Sequence, residues 1–241
     1  MNFLRFGVLS ACLCLLSGCG IIDYYFLPAP EDTVQEIYEN AQDAMRDQRY
    51  KDAIESYTKI KDNYPFSPYA IEAELAVGDA YYLLEKYPEA AESYREFETL
   101  HPRHQSAPYV LYQIGMSELN SFTSLDRPTT MVQQALEYFN RLQETYPDTD
   151  YAAKAKEQII ACRKILAEHE LFIGDMFWRM EKYGSARERY LYVVNNYPDV
   201  PQVPEHAAKK AEAAYFKDRE QKAEQDRRKK HGHWRDWFDW L

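Results

Sequence analysis

The chain has 241 residues, a formal net charge of −10, 46% hydrophobic and 15% aromatic residues, and 21 tyrosines against 8 glycines. Eight glycines are about 3% of the chain, less than half the usual ~7%, which excludes a fold that depends on many phosphate-cradling loops and tight hairpins, Rossmann and P-loop enzymes among them. Charged residues at 28% are interleaved with apolar ones, as in a globular chain rather than a disordered one. The acidity excludes a global electrostatic grip on nucleic acid or anionic lipid.

Residues 1–18 read as a lipoprotein signal peptide. Arg5 precedes an apolar run from Phe6 to Leu16, shorter than the ~20 residues a membrane-spanning helix needs. The run closes on Leu16-Ser17-Gly18-Cys19, which resembles the bacterial lipobox. In that class the cysteine thiol takes S-diacylglycerol, the chain is cut before it, and the new amino group is N-acylated, so Cys19 would begin the mature protein. Several acyl chains at about 0.8 kcal/mol per buried methylene give stable anchoring. Gly20 follows the cysteine where an Asp would signal retention in the inner membrane, which implies the periplasmic face of the outer membrane. Residues 19–31, with Tyr24, Tyr25, Pro28 and Pro30, read as a lipidated tether. Cys12 and Cys14 leave with the signal peptide, so Cys162 remains the one ordinary thiol and no internal disulfide forms.

One spacing then recurs four times. Ala53, Tyr57 and Pro65 are followed by Ala90, Tyr94 and Pro102, by Ala135, Phe139 and Pro147, and by Ala186, Tyr190 and Pro198. Tyr50, Tyr87 and Tyr183 stand one turn before three of the four alanines. Gly78, Gly115 and Gly174 precede the later three, with an insertion near Phe122 to Thr129 lengthening the third unit. A small residue at the closest approach of one helix lets the second pack its own Ala there, the aromatic one turn on fills the gap to the next hairpin, and proline ends the helix. This resembles the tetratricopeptide repeat. The long fourth step leaves room for an additional helix, Tyr151 to Ala167, separate from the Gly174 helix or continuous with it. Glu205 to Phe216, with Ala211 at the close-contact position, reads as the first helix of a fifth unit. The expected fold is an all-α tetratricopeptide-repeat solenoid: four hairpin repeats, an extra helix and a partial fifth repeat or cap.

In such a solenoid the first helices line a concave face. Their register places Tyr38, Arg46, Tyr82, Tyr109, Tyr112 and Met116 there, with Glu72, Asp79 and Asn120. Tyrosine and methionine suit an extended peptide with aromatic side chains; the same tyrosines could equally pack between hairpins. A basic carboxylate clamp is disfavoured, since only Arg46 and Asn120 would serve it. Catalytic chemistry finds no purchase: G-x-S-x-G, H-E-x-x-H and P-loop patterns are absent. His101 and His104 at the Pro102 turn, and His231 and His233, lack ligand-spaced partners. We therefore expect no enzyme activity, no metal and no cofactor beyond the lipid on Cys19.

Residues 217–241 depart from the acidic body, with eight Lys or Arg against six Asp or Glu, among them Arg227-Arg228-Lys229-Lys230. Trp234, Trp237, Phe238 and Leu241 share one helical face, which could dock a partner, fold back on the solenoid or meet a membrane interface.

Lipobox and repeats together resemble the BamD (ComL) family, over about residues 16 to 216. The specific stretches are Tyr50-Lys51-Asp52-Ala53-Ile54, Tyr64-Pro65-Phe66-Ser67-Pro68-Tyr69-Ala70, Ala80-Tyr81-Tyr82, His101-Pro102-Arg103-His104, and Cys162-Arg163 with Leu166-Ala167. The resemblance implies a scaffold that, with a barrel protein bearing POTRA domains and smaller lipoproteins, folds and inserts outer-membrane β-barrels. It implies that the N-terminal half, residues 32–147, recognises the aromatic-ending segment of unfolded substrates, and that the C-terminal half, residues 148–216, binds the POTRA region. Arg187 and Arg189, on the second helix of the fourth repeat, are the partner-binding candidates. The alternatives are a periplasmic adaptor for peptidoglycan synthesis or cell division, and a lipoprotein hydrolase.

Overall fold

A computed structural model describes residues 33–231. Cys19, the tether, and the aromatic face from Trp234 to Leu241 lie outside the described residues. Nine α-helices and no strand occur within them: α1 Val34–Arg46, α2 Tyr50–Asn63, α3 Ala70–Leu83, α4 Tyr87–Leu100, α5 Ala107–Ser121, α6 Thr130–Thr145, α7 Asp150–Arg179, α8 Tyr183–Asn196 and α9 Val203–His231. Each packs on the next in chain order, with α5 also meeting α7 and α7 meeting α9. This is the expected all-α solenoid: three hairpins from α1 to α6, a fourth from the C-terminal half of α7 with α8, and α9 as the unpaired helix of a fifth unit.

Local chemistry sets the boundaries. The Thr33 hydroxyl accepts from the Glu36 amide while Glu36 accepts from the Thr33 amide at 2.7 Å, a capping box that opens α1. Three hairpin turns are closed by left-handed residues that are not glycine, Gln48, Glu85 and Glu181, with φ of 60°, 60° and 59°. Beyond each, an amide reaches back into the helix: Arg49 to the Ala44 carbonyl, Lys86 to Tyr81 and Lys182 to Phe177, at 2.8, 3.0 and 2.9 Å. At the other end of each hairpin Tyr64, His101, Tyr146 and Tyr197 leave the helical region, at φ −131°, −129°, −134° and −127°, because a proline follows each one. Through the first three hairpins, the inter-repeat turns therefore share one edge with Thr33, and the hairpin turns occupy the opposite edge.

The glycines serve close approach instead of turns. A Cβ on Gly78 would stand 2.7 Å from the Tyr94 ring, and on Gly115 and Gly174 it would stand 2.5 Å from Phe139 and Tyr190. The aromatic of each of these second helices thus packs on the glycine of its own hairpin, and it also fills the gap to the next unit as the spacing suggested, Tyr94 meeting Val110 and Ile114, and Tyr190 meeting Ala211 and Ala214. The first hairpin has Ala41 in this place, and Tyr57 leans on Tyr38 at 5.9 Å.

The insertion is the segment between α5 and α6, and His169 of α7 ties it down by donating from Nδ1 to the Leu125 carbonyl at 2.7 Å. The additional helix is continuous with the Gly174 helix: α7 runs 30 residues, about 45 Å at 1.5 Å per residue. Its first half packs on α6 and its second on α8, so the fourth hairpin is stepped along the α7 axis relative to the third. Arg163 marks the step, bonding to Asp199 at 2.7 Å and to the Asn196 carbonyl at 2.9 Å. Cys162 beside it is buried, and burial pushes its thiol up to about 12, so it is an inert core residue. α9 buries Ala207, Ala211 and Ala214. It then continues beyond residue 217 as a solvated rod, supported by Lys217–Glu220, Asp218–Lys222 and Glu224–Arg228 pairs. Ala211 faces back onto Ala186 and Tyr190 of α8.

Candidate peptide groove

The first helices present a line of half-buried rings. Tyr38 of α1 donates its hydroxyl to Glu72 Oε2 of α3 at 2.5 Å and stacks on Tyr69 with centroids 4.7 Å apart. Tyr82 of α3 accepts from Asn120 Nδ2 of α5 at 2.9 Å and meets Tyr87 edge-on. Tyr112 of α5 lies between Phe139 and Tyr151, each centroid 5.8 Å away. Met116 is half-buried against the same cluster. Arg46 is exposed at the end of α1 and pairs with Asp43 of its own helix, an exposed pair of small energetic consequence.

Tyr109 belongs to a deeper network. Its hydroxyl and that of Tyr94 both donate to Asp79 Oδ1, the latter at 2.7 Å, and Gln113 Nε2 donates to Tyr109 at 3.0 Å. Burial pushes the Asp79 carboxyl above its ordinary value, although the Tyr109 and Tyr94 hydroxyls pull it back. No cation joins it among the described residues. Burial, followed by the charge of Asp79, raises Tyr94 and Tyr109 well above the ordinary phenol, so both remain donors.

The same arrangement returns between the fourth and fifth units with one change. Tyr190 donates to Asp175 at 2.6 Å, but Lys210 of α9 now grips both carboxylate oxygens at 2.7 Å. Burial pushes the Asp175 carboxyl up, and Lys210, Tyr190 and the His206 charge together outweigh it, leaving the group below its ordinary value. Above this pair opens a cleft of about 580 Å³, walled by Phe172, Trp178 and Tyr190, with Arg179 and Ala213 at its margin.

Arg187 and Arg189 do not converge. Arg187 lies over the Tyr215 ring at 5.2 Å, in a shallower cleft between α8 and α9 with Leu191, Val194 and Glu212. Arg189 points to the other flank and donates to Glu170 Oε2 of α7 at 2.9 Å.

Of the six residues expected to line the groove, the five other than Arg46 are half-buried: Tyr38 packs on Tyr69, Tyr82 pairs with Asn120, and Tyr109, Tyr112 and Met116 gather around Tyr151. Tyr69 and Tyr151 were missed because each is a partner across hairpins rather than a repeat position, and Gln113, one turn beyond Tyr109 on α5, was missed with them. Tyr69 follows Pro68 at the start of α3, and the aromatic after proline was its signal. The cleft around Trp178 was missed too; its signal was the Gly174-Asp175 pair, which repeats Gly78-Asp79. No group of three or more His, Cys, Asp or Glu among the described residues is arranged to hold a metal.

Comparison with known proteins gives a consistent picture. The family described as outer membrane lipoprotein, YfiO, matches residues 30–230. Outer membrane protein assembly factor BamD of Vibrio cholerae is 28% identical over 197 residues, covering 78% of this chain and 80% of that protein. The protein of the same name from Xylella fastidiosa is 29% identical over 175 residues, covering 68% of this chain and 60% of that protein. Among solved structures, a tetratricopeptide repeat protein from Parabacteroides merdae is similar, at a TM-score of 0.41 and 14% identity over 76% of this chain and 73% of that one.

Proposed function

The chain belongs to the YfiO family of outer membrane lipoproteins, and from that membership we propose that it is an assembly factor for outer-membrane β-barrel proteins. In this reading it is a non-catalytic scaffold at the periplasmic face of the outer membrane, held by S-diacylglycerol and N-acyl chains on Cys19. The observation that carries the reading is the family match, which spans the whole repeat array from α1 nearly to the end of α9.

The groove supports a role for residues 32–147 in receiving aromatic-ending segments of unfolded barrel proteins. Tyr38, Tyr82 and Tyr109 already have polar partners for their hydroxyls. With Tyr112 and Met116 they offer a visiting ring mainly carbon surface, at low conformational cost. Arg46 supplies a positive charge at one end. The C-terminal half, residues 148–216, takes the POTRA region of the barrel protein, with Arg187 and Arg189 as cationic contacts on an acidic body. Smaller lipoproteins complete the complex. Depletion of the chain, followed by outer-membrane proteomics and affinity purification, tests the reading: barrel proteins should be lost from the membrane and the POTRA-bearing protein should copurify. Normal barrel assembly in its absence would defeat it.

A further inference from the structure

We propose that the edge carrying the turns after α2 and α4 rests on the bilayer, with Phe66 inserted into the lipid interface as a second anchor. The proposal rests on the reading of Cys19 as lipidated. Phe66 is 100% exposed. It sits in Pro65-Phe66-Ser67-Pro68, where both prolines fix their own φ. The turn is closed by the Ser67 amide on the Tyr64 carbonyl at 2.9 Å and by the Ala70 amide on the Ser67 carbonyl at 3.1 Å. A phenyl ring on so constrained a turn touches nothing of its own solenoid, which leaves it free to meet a partner beyond the edge.

The topology identifies that partner. α1 begins, α2 ends and α3 begins on the same edge, so Phe66 shares it with Thr33, where the tether enters the fold. Residues 19–32 reach at most about 50 Å when fully extended, so lipid on Cys19 lies within that distance of the point on this edge where the tether enters. The next turn on the same edge adds Leu100, 55% exposed, and Arg103, an exposed guanidinium with no ion pair among the described residues. An apolar knob beside an arginine fits the boundary between acyl chains and phosphate headgroups.

Site-directed spin labelling tests this on the full, lipidated chain in vesicles of phosphatidylethanolamine with phosphatidylglycerol. Phe66→Cys carries the probe, and Gln48→Cys on the opposite edge is the control; buried Cys162 stays unlabelled. The label at 66 should be relaxed more by oxygen than by a water-soluble nickel chelate, and the label at 48 the reverse. A label at 66 as open to nickel as that at 48, on chain that sediments with the vesicles, overturns the proposal. So does shielding that appears only when partner proteins are added. Chain that leaves the vesicles altogether defeats the Cys19 reading and the proposal with it, and sedimentation reports that separately. In the full chain carrying Cys19→Ala, Phe66→Ala should lower vesicle partitioning about tenfold while Phe66→Trp preserves it; equal partitioning of the two would count against insertion.

Discussion

Tyr94 donates its hydroxyl to Asp79 at 2.7 Å while its ring covers Gly78, so one side chain joins the two helices of its hairpin by both contact and hydrogen bond. Tyr190 repeats the arrangement on Asp175 and Gly174. The two carboxylates nevertheless respond to pH in opposite directions.

Asp79 has its pKa raised by burial, so the folded state holds the proton more tightly than the unfolded chain. Its stabilising contribution is complete below the ordinary carboxylate pKa of about 3.9 and is lost as pH rises through the raised value. Asp79→Asn should therefore flatten the pH dependence of the urea midpoint between the ordinary carboxylate pKa and the raised one. Asp175 has its pKa lowered, so its contribution is present above the ordinary pKa and is lost as pH falls through the lowered one. Asp175→Asn should cost about 1 kcal/mol at neutral pH, discounted for its partial exposure. Parallel urea titrations of both variants check the opposite signs.

Gly115→Ala should destabilise by about 1–3 kcal/mol, because the new methyl would stand 2.5 Å from the Phe139 ring. Adding Phe139→Leu vacates that space, and the double variant should recover part of the loss. Strict additivity in chemical denaturation would mean that the two residues do not share the contact.

Tyr82→Ala should weaken binding of an aromatic-ending barrel-protein peptide about tenfold. Tyr82→Phe should bind nearly as well as the wild type, since the Asn120 bond holds the ring in place rather than a ligand. Fluorescence anisotropy with a labelled peptide distinguishes the two. Equal affinity for all three proteins would remove Tyr82 from the groove.

Charge reversal at Arg187 should slow association with the POTRA-bearing protein, and the deficit should shrink at high salt as screening takes hold. Arg189→Ala should cost no more than about 1 kcal/mol of stability through loss of its exposed pair with Glu170. Stopped-flow association at two ionic strengths and a urea midpoint measure these effects.

The repeat positions were legible because each has a steric reason visible along the chain. Ala, aromatic and Pro at fixed spacing predict four hairpins, and the eight-residue excess before Ala135 locates the segment between α5 and α6. Gln48, Glu85 and Glu181 were not legible as turn residues, since the left-handed position usually announces itself by glycine and here it costs roughly 1 kcal/mol at each side chain. The groove tyrosines could be named but not their environment. Tyr38 on Tyr69, and Tyr82 with Asn120, are contacts between hairpins, and the repeat spacing constrains chiefly contacts within one. The unbroken α7 follows from the absence of proline or a terminating glycine between Ala167 and Gly174, but that absence alone did not decide between one helix and two.

That single helix has a mechanical consequence. Because α7 is a wall of the third unit and also one strut of the fourth hairpin, no joint separates the end that would grip a partner from the end that would meet a substrate. A partner clamped on α8 and α9 therefore sets the position and aim of the tyrosine-lined face as a handle sets a blade. Reorienting that face requires bending some 45 Å of continuous backbone hydrogen bonds or moving the whole molecule on its leash.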